Sequence, residues 1–300
     1  MSAAIIQHVK SGDIKALARS ISMIENEAPG YEELLLESAA TAVPIIGITG
    51  PPGAGKSTLV DGLIKQIVEA GKRVAVLCVD PSSPFNLGAL LGDRIRMSNW
   101  YTHPNVYIRS LASRGALGGL HPKIVEITEW LKAAPFDYII TETVGVGQSE
   151  VEITGLADLT VVVVVPEAGD EVQTMKSGIM EIADLFVVNK ADRPEADQFV
   201  RNLRLMLAPA FHRSQIEIPV VKTIASTGEG LGELWAAILK QLSLQSFNEH
   251  KSWLLAERAF QLIQARRMKG VHKEVIKEMI AKELKEGSFN LYQFVSKMDN

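Results

Sequence analysis

The chain has 300 residues, 47% of them hydrophobic and 22% charged, with a formal net charge of −4. This balance fits a globular protein and argues against intrinsic disorder and against a broad electropositive surface for nucleic acid. A single cysteine, Cys78, rules out an internal disulfide framework, and no Cys or His pair has the close spacing of a zinc clasp.

A reducing, cytoplasmic setting is therefore expected. Met1-Ser2-Ala3-Ala4 opens without a basic patch and apolar run, so no signal peptide is expected. The longest apolar stretch, Leu159 to Val165, is far too short to span a bilayer, and no membrane partner is expected.

In chain order, residues 3 to about 40 carry apolar positions at helical spacing, among them Ile14, Leu17, Ile21, Ile24, Leu34 and Leu35. Pro29-Gly30 breaks the pattern, which predicts two helices before the main domain. From Val43 onward, short β-branched runs alternate with helical segments. The runs are Ile45 to Thr49, Val74 to Val79, Val106 to Ile108, Tyr138 to Thr141, Thr160 to Val165, Leu185 to Val188 and Val220 to Thr223. Such alternation predicts βαβ units, an α/β fold and a mostly parallel sheet. In Val161 to Val165 and Phe186 to Val188 successive positions are apolar, as in strands covered by helices on both faces. A helix is expected from Leu231 to about Leu242, and the remainder to Asn300 is helical without strand signal. The resulting division is a helical extension over 1–42, a central domain over 43–243 and a helical arm over 244–300.

Gly50-Pro51-Pro52-Gly53-Ala54-Gly55-Lys56-Ser57-Thr58 satisfies G-x-x-x-x-G-K-[ST] between a predicted strand and a predicted helix. Backbone N–H groups in such a loop can curl around phosphate oxygens, the helix N-terminus adds positive potential, Lys56 reaches the β and γ phosphates, and the Ser57 hydroxyl can meet Mg²⁺. The fold expected is thus a P-loop NTPase with helical extensions at both ends.

Asn189-Lys190-Ala191-Asp192 follows the strand Leu185 to Val188, at a strand C-terminus where a parallel sheet presents ligand contacts. The Asp192 carboxylate can accept from the ring N–H and exocyclic amine of guanine, donors that adenine does not offer there. This selects GTP and GDP, with Lys190 packing its stem on the loop or the base.

Three acidic residues are candidates for the metal. Glu142 ends the strand Tyr138 to Thr141, Asp80 ends the second strand, and Asp93 lies in Leu91 to Met97. Asp93 is also a candidate for orienting the attacking water, as is Gln148. Gly145 is the candidate sensor of the γ phosphate, since closely spaced glycines let a loop change shape. Lys176, in Glu167 to Lys176, could meet the phosphates or Glu142. Lys56, Asp93 and Lys176 form the candidate catalytic set.

Together these stretches, with Arg114 to Leu120 and Glu142 to Glu150 as the most distinctive, resemble the methylmalonyl-CoA mutase-associated GTPases, the MeaB or ArgK type. The resemblance covers nearly the whole chain. It implies a homodimeric GTPase that chaperones an adenosylcobalamin-dependent methylmalonyl-CoA mutase or a related acyl-CoA mutase, gating cofactor loading and protecting the mutase. It implies that Asp170, Gln173 and Lys176 relay the nucleotide state, and that the C-terminal helices form a dimerisation arm. Where the family typically reads Ser-Ala in a further base-contact loop, this chain reads Ile224-Ala225-Ser226; the Ala225 N–H can still meet the guanine oxygen, while a side-chain support is lost.

Two other readings share the phosphate loop. A nickel-delivering metallochaperone GTPase would need borderline or soft ligands, and here Cys78 sits in an apolar strand while the six histidines are scattered. A kinase would need a phosphoacceptor pocket, which the sequence does not display.

Overall fold

The computed structural model describes residues 2–37, 42–80, 97–113, 120–143, 149–166, 183–214, 218–244, 249–268, 271, 273–285, 287 and 289–298. Seven strands form one sheet: β1 (Ile45–Thr49), β2 (Val74–Asp80), β3 (Val106–Ala112), β4 (Tyr138–Glu142), β5 (Leu159–Val164), β6 (Leu185–Val188) and β7 (Val220–Lys222). Their order is β3-β2-β4-β1-β5-β6-β7, and every pairing is parallel. This is the α/β architecture with a parallel sheet that the alternation of strands and helices predicts.

The apolar strands follow from the layers around them. In β5, Val161 and Val163 face one core with α4 (Lys56–Glu69) and α8 (Leu231–Leu244), whereas Val162 and Val164 face another with α7 (Ala196–Ser214). Alternate residues of one strand thus enter opposite cores, which removes the polar position that a one-sided strand would need.

The first helices depart from the expected pair, because there are three: α1 (Ser2–Lys10), α2 (Ile14–Glu25) and α3 (Tyr31–Leu36). The extra break lies at Ser11-Gly12-Asp13. Gly12 takes φ 87°, a left-handed conformation that ends α1, and the Asp13 carboxylate then caps α2 by accepting from the N–H groups of Lys15 and Ala16 at 2.8 and 3.1 Å. Hydrophobic spacing runs through this turn, so periodicity alone does not reveal it.

These helices pack into the core of the sheet domain. Leu17, Ile21 and Ile24 of α2 share one cluster with Leu77 of β2, Tyr107 of β3, and Ile127 and Trp130 of α5 (Ile124–Leu131). Trp130 is wholly buried, and its Nε1 donates to the Ser20 hydroxyl at 2.7 Å. Arg109 of β3 donates to Glu25 at 2.7 Å and to Ser22 at 3.0 Å. That cover helps explain why β3 runs to Ala112 rather than ending at Ile108: Arg109 lies under a helix that supplies its partners.

The chain divides into two compact units, Met1–Leu254 and Leu255–Asn300. The break between these units lies inside α9 (Glu249–Arg267). Lys251 pairs with Asp158, whose other oxygen accepts from the Ile45 N–H, and Leu254 packs on the first core. The second unit holds the rest of α9 with α10 (Lys273–Lys285) and α11 (Leu291–Met298). Within it Phe294 is buried against Phe289, while Phe260, Ile263, Leu284, Leu291 and Tyr292 are exposed. Among the described residues, no helix is long and apolar enough to cross a membrane.

Candidate functional site

β1 lies at the middle of the sheet and runs directly into residues 50–55, which open α4. Gly55 caps that helix at φ 91°, and a Cβ there would also overlap the Asn189 amide, so the position admits glycine for two reasons. Lys56 and Ser57 occupy the first turn of α4 and are buried, where the helix N-terminus carries partial positive charge. The Lys56 ammonium donates to the carbonyls of Gly50 and Pro51 at 2.9 and 3.1 Å, which folds the side chain back over its own loop.

Strand β4, next to β1, brings Glu142 to the same end of the sheet. Ser57 Oγ donates to Glu142 Oε1 at 2.7 Å. Asp80, at the end of β2, is buried at 2% exposure, and Glu142 at 3%. Thr143 donates to the Thr49 hydroxyl at 2.9 Å, tying the end of β4 to the end of β1. A hydroxyl with two carboxylates is a hard oxygen donor set and fits Mg²⁺, which keeps several ligands for water and phosphate.

On the other side of β1, β6 and β7 deliver two more loops. Asn189, 2% exposed at the end of β6, joins them to the phosphate loop. Its Nδ2 donates to the Ala54 carbonyl at 2.8 Å, while its Oδ1 accepts from the Thr223 hydroxyl and from the Ala225 N–H, each at 3.1 Å. Asn189 thus ties down the loop that carries Ala225. It engages the Ala225 N–H, the donor assigned from sequence to the guanine oxygen. Lys190, at φ 56°, donates to the Gly53 carbonyl at 2.7 Å, so its ammonium rests on the loop. Asp192 and Ser226 are exposed, and Ile224 bridges to Glu229 to close the loop that leads into α8.

Of the residues singled out in the sequence, Lys56, Ser57, Asp80 and Glu142 stand at one end of the sheet with Asn189, Lys190 and Ala225 across β1. Asp93, Gly145, Gln148, Asp170, Gln173 and Lys176 lie outside the described residues, as do Arg114 to Gly119. Thr223 and Thr143 were not singled out. Thr223 is 1% exposed and holds Asn189, and its only signal in the sequence is a hydroxyl directly after an apolar strand.

The sequence profile of the methylmalonyl Co-A mutase-associated GTPase MeaB matches residues 17–284. A Pyrococcus horikoshii protein named as a GTPase is 42% identical over 303 residues, covering 98% of this chain and 91% of its own length. GTPase ArgK of Escherichia coli K12 is 34% identical over 245 residues, covering 78% of this chain and 74% of its own. A fused isobutyryl-CoA mutase of Geobacillus kaustophilus is 35% identical over 266 residues; the match takes in 83% of this chain and 24% of that protein. The crystal structure of LAO/AO transport system kinase shares the fold with a TM-score of 0.66 at 23% identity, covering 99% of this chain and 96% of that one. The chain is a P-loop GTPase and belongs to the methylmalonyl Co-A mutase-associated GTPase MeaB family.

Proposed function

We propose that this chain binds GTP with its phosphates on Gly50 to Thr58 and its guanine between the Asn189–Asp192 and Ile224–Ser226 loops, hydrolyses it, and uses the change of nucleotide to control a cobalamin-dependent acyl-CoA mutase. The observation that carries the nucleotide reading is the Asn189 bridge, which holds the phosphate loop and both base-facing loops in one geometry.

Lys56 would exchange its contacts with Gly50 and Pro51 for the β and γ oxygens, and would stabilise the charge that spreads over the transferred phosphoryl group. Ser57, Asp80 and Glu142 would hold Mg²⁺, which supplies charge neutralisation at the β and γ phosphates when bound. Asp192 would read the guanine edge as an acceptor of two hydrogen bonds. The roles of Asp93 with the attacking water, of Gly145 as sensor, and of Asp170, Gln173 and Lys176 toward the partner belong to the same proposal.

The mutase is suggested by the Geobacillus protein, in which a segment like this chain forms about a quarter of a polypeptide named as a mutase. Covalent linkage there is the fused counterpart of a separate partner here. The exposed apolar side chains of the second unit support a homodimer through the arm over 244–300.

The test is direct. Purified protein should release phosphate from GTP in a Mg²⁺-dependent reaction that Lys56→Ala abolishes, and an extract loaded with a non-hydrolysable GTP analogue should yield a cobalamin enzyme that GDP loading does not. Undiminished turnover by Lys56→Ala would reject the site assignment, and co-purification independent of nucleotide would reject the switch.

A further inference from the structure

Asp61 lies on α4 four residues beyond Ser57, so the two share one face of the helix a turn apart. Its carboxylate accepts from the indole Nε1 of Trp100 at 2.7 Å, a charge-assisted bond in a partly buried setting. Trp100 is not a floating side chain. It ends a short 3₁₀ turn, Ser98–Trp100, that begins from the wholly buried Met97. The turn is closed by the Trp100 N–H on the Met97 carbonyl at 3.0 Å and by the His103 N–H on the Trp100 carbonyl at 3.0 Å. The indole meets His103 edge-on, with centroids 5.6 Å apart. The next residue of α4, Gly62, admits Leu231 of α8 so closely that a Cβ there would overlap it. The phosphate-binding helix is thus pinned by a packing contact at Gly62 and a hydrogen bond at Asp61, one turn below the serine that faces Glu142.

We propose that Asp61 is a positioning residue that, through the Trp100 indole, fixes α4 so that the Ser57 hydroxyl stands at the metal side of the nucleotide site. This rests on the guanine-nucleotide reading above. The Asp61 carboxylate is engaged by the Trp100 indole, and its effect on the site runs through the placement of Ser57. The packing of Gly62 on Leu231 still holds α4 and the phosphate loop that opens it when the Asp61 bond is lost, so the expected contribution falls on the finer placement of Ser57 and with it on the Mg²⁺-dependent part of binding.

The experiment measures release of a fluorescent GDP analogue across Mg²⁺ concentrations and in EDTA, with thermal unfolding as a check on folding. Asp61→Ala and Trp100→Phe should each raise the Mg²⁺ concentration that half-slows release by about tenfold, the size typical of lost outer-sphere support. Affinity in EDTA should stay within about twofold of wild type. Asp61→Asn, which keeps an acceptor oxygen but loses the charge, should restore the wild-type midpoint; this separates positioning from long-range attraction of the cation. A wild-type midpoint in Asp61→Ala or Trp100→Phe, an equal loss in EDTA, or failure of Asp61→Asn to restore it would each overturn the proposal. If Asp61→Ala does not fold, Trp100→Phe against Asp61→Asn decides. Absence of any Mg²⁺-dependent guanine-nucleotide binding in the wild type would instead defeat the functional reading on which this rests.

Discussion

Asn189 Nδ2 donates to the carbonyl of Ala54 at 2.8 Å across 135 residues of sequence, so the loop after β6 and the phosphate loop after β1 are one hydrogen-bonded body. Three partners converge on this amide, all of them backbone or hydroxyl groups beside a buried side chain. Asn189→Ala would strand them without water to replace the lost bonds. At about 1 kcal/mol or more each, the expected loss of unfolding free energy is about 3 kcal/mol. GTP affinity should fall by at least about tenfold as the base-reading loops separate from the phosphates. Denaturant unfolding and titration with a fluorescent GTP analogue check both halves; a loss of stability with unchanged affinity would show that the bridge holds the fold but not the ligand geometry.

Glu142→Gln tests the metal side. The amide oxygen still accepts from Ser57, but the negative charge is gone. Hydrolysis at limiting Mg²⁺ should drop by about 100-fold. The nucleotide-free protein should be no less stable than wild type, because a buried carboxylate is costly to keep. A variant with full activity at low Mg²⁺ would remove Glu142 from the metal set.

Much of this site is legible in the sequence because its elements are local. The phosphate loop is a contiguous motif, β6 ends where its loop begins, and all seven strands are marked by β-branched runs. What is not legible depends on residues distant in sequence. The polar end of β3 reads as a loop until α2 supplies Glu25 for Arg109. Thr223 reads as an ordinary hydroxyl until Asn189, 34 residues earlier, arrives beside it. The break at Gly12 is hidden because apolar spacing happens to continue across a left-handed residue.

The docking of the N-terminal helices gives a prediction on stability. Ser20→Ala removes the acceptor of the Trp130 indole inside the core, leaving a buried N–H with no local replacement. A cost of about 1–3 kcal/mol is expected in urea unfolding. Nucleotide affinity should be unaffected, since the pair lies away from the phosphate loop. An unchanged midpoint would mean that the indole finds another acceptor.

Acid sensitivity is expected at the start of β4. Burial alone would push the Asp137 carboxyl up, but the Arg73 N–H at 2.8 Å and the Lys72 ammonium at 2.9 Å hold it below the ordinary aspartate range. A depressed folded-state pKa means that its stabilisation is complete above the unfolded value, about 3.9, and is lost as pH falls through the folded one. Wild type should therefore exceed Asp137→Asn in urea midpoint at pH 7, with the gap closing toward pH 3. A gap that stays constant with pH would show that the carboxylate charge contributes nothing.

The sheet order also partitions the chemistry. Asp80 and Glu142 arrive on β2 and β4, on one flank of β1, whereas the loops we propose to face guanine arrive on β6 and β7, on the opposite flank. On the proposed reading, the acids that would hold the metal and the carboxylate that would read the base therefore come from opposite flanks of β1, joined through Asn189. On that reading, recoding the base preference, for instance toward xanthine at Asp192, would require no change on the flank that carries the acids, and a chain so altered would remain a hydrolase answering to a different signal.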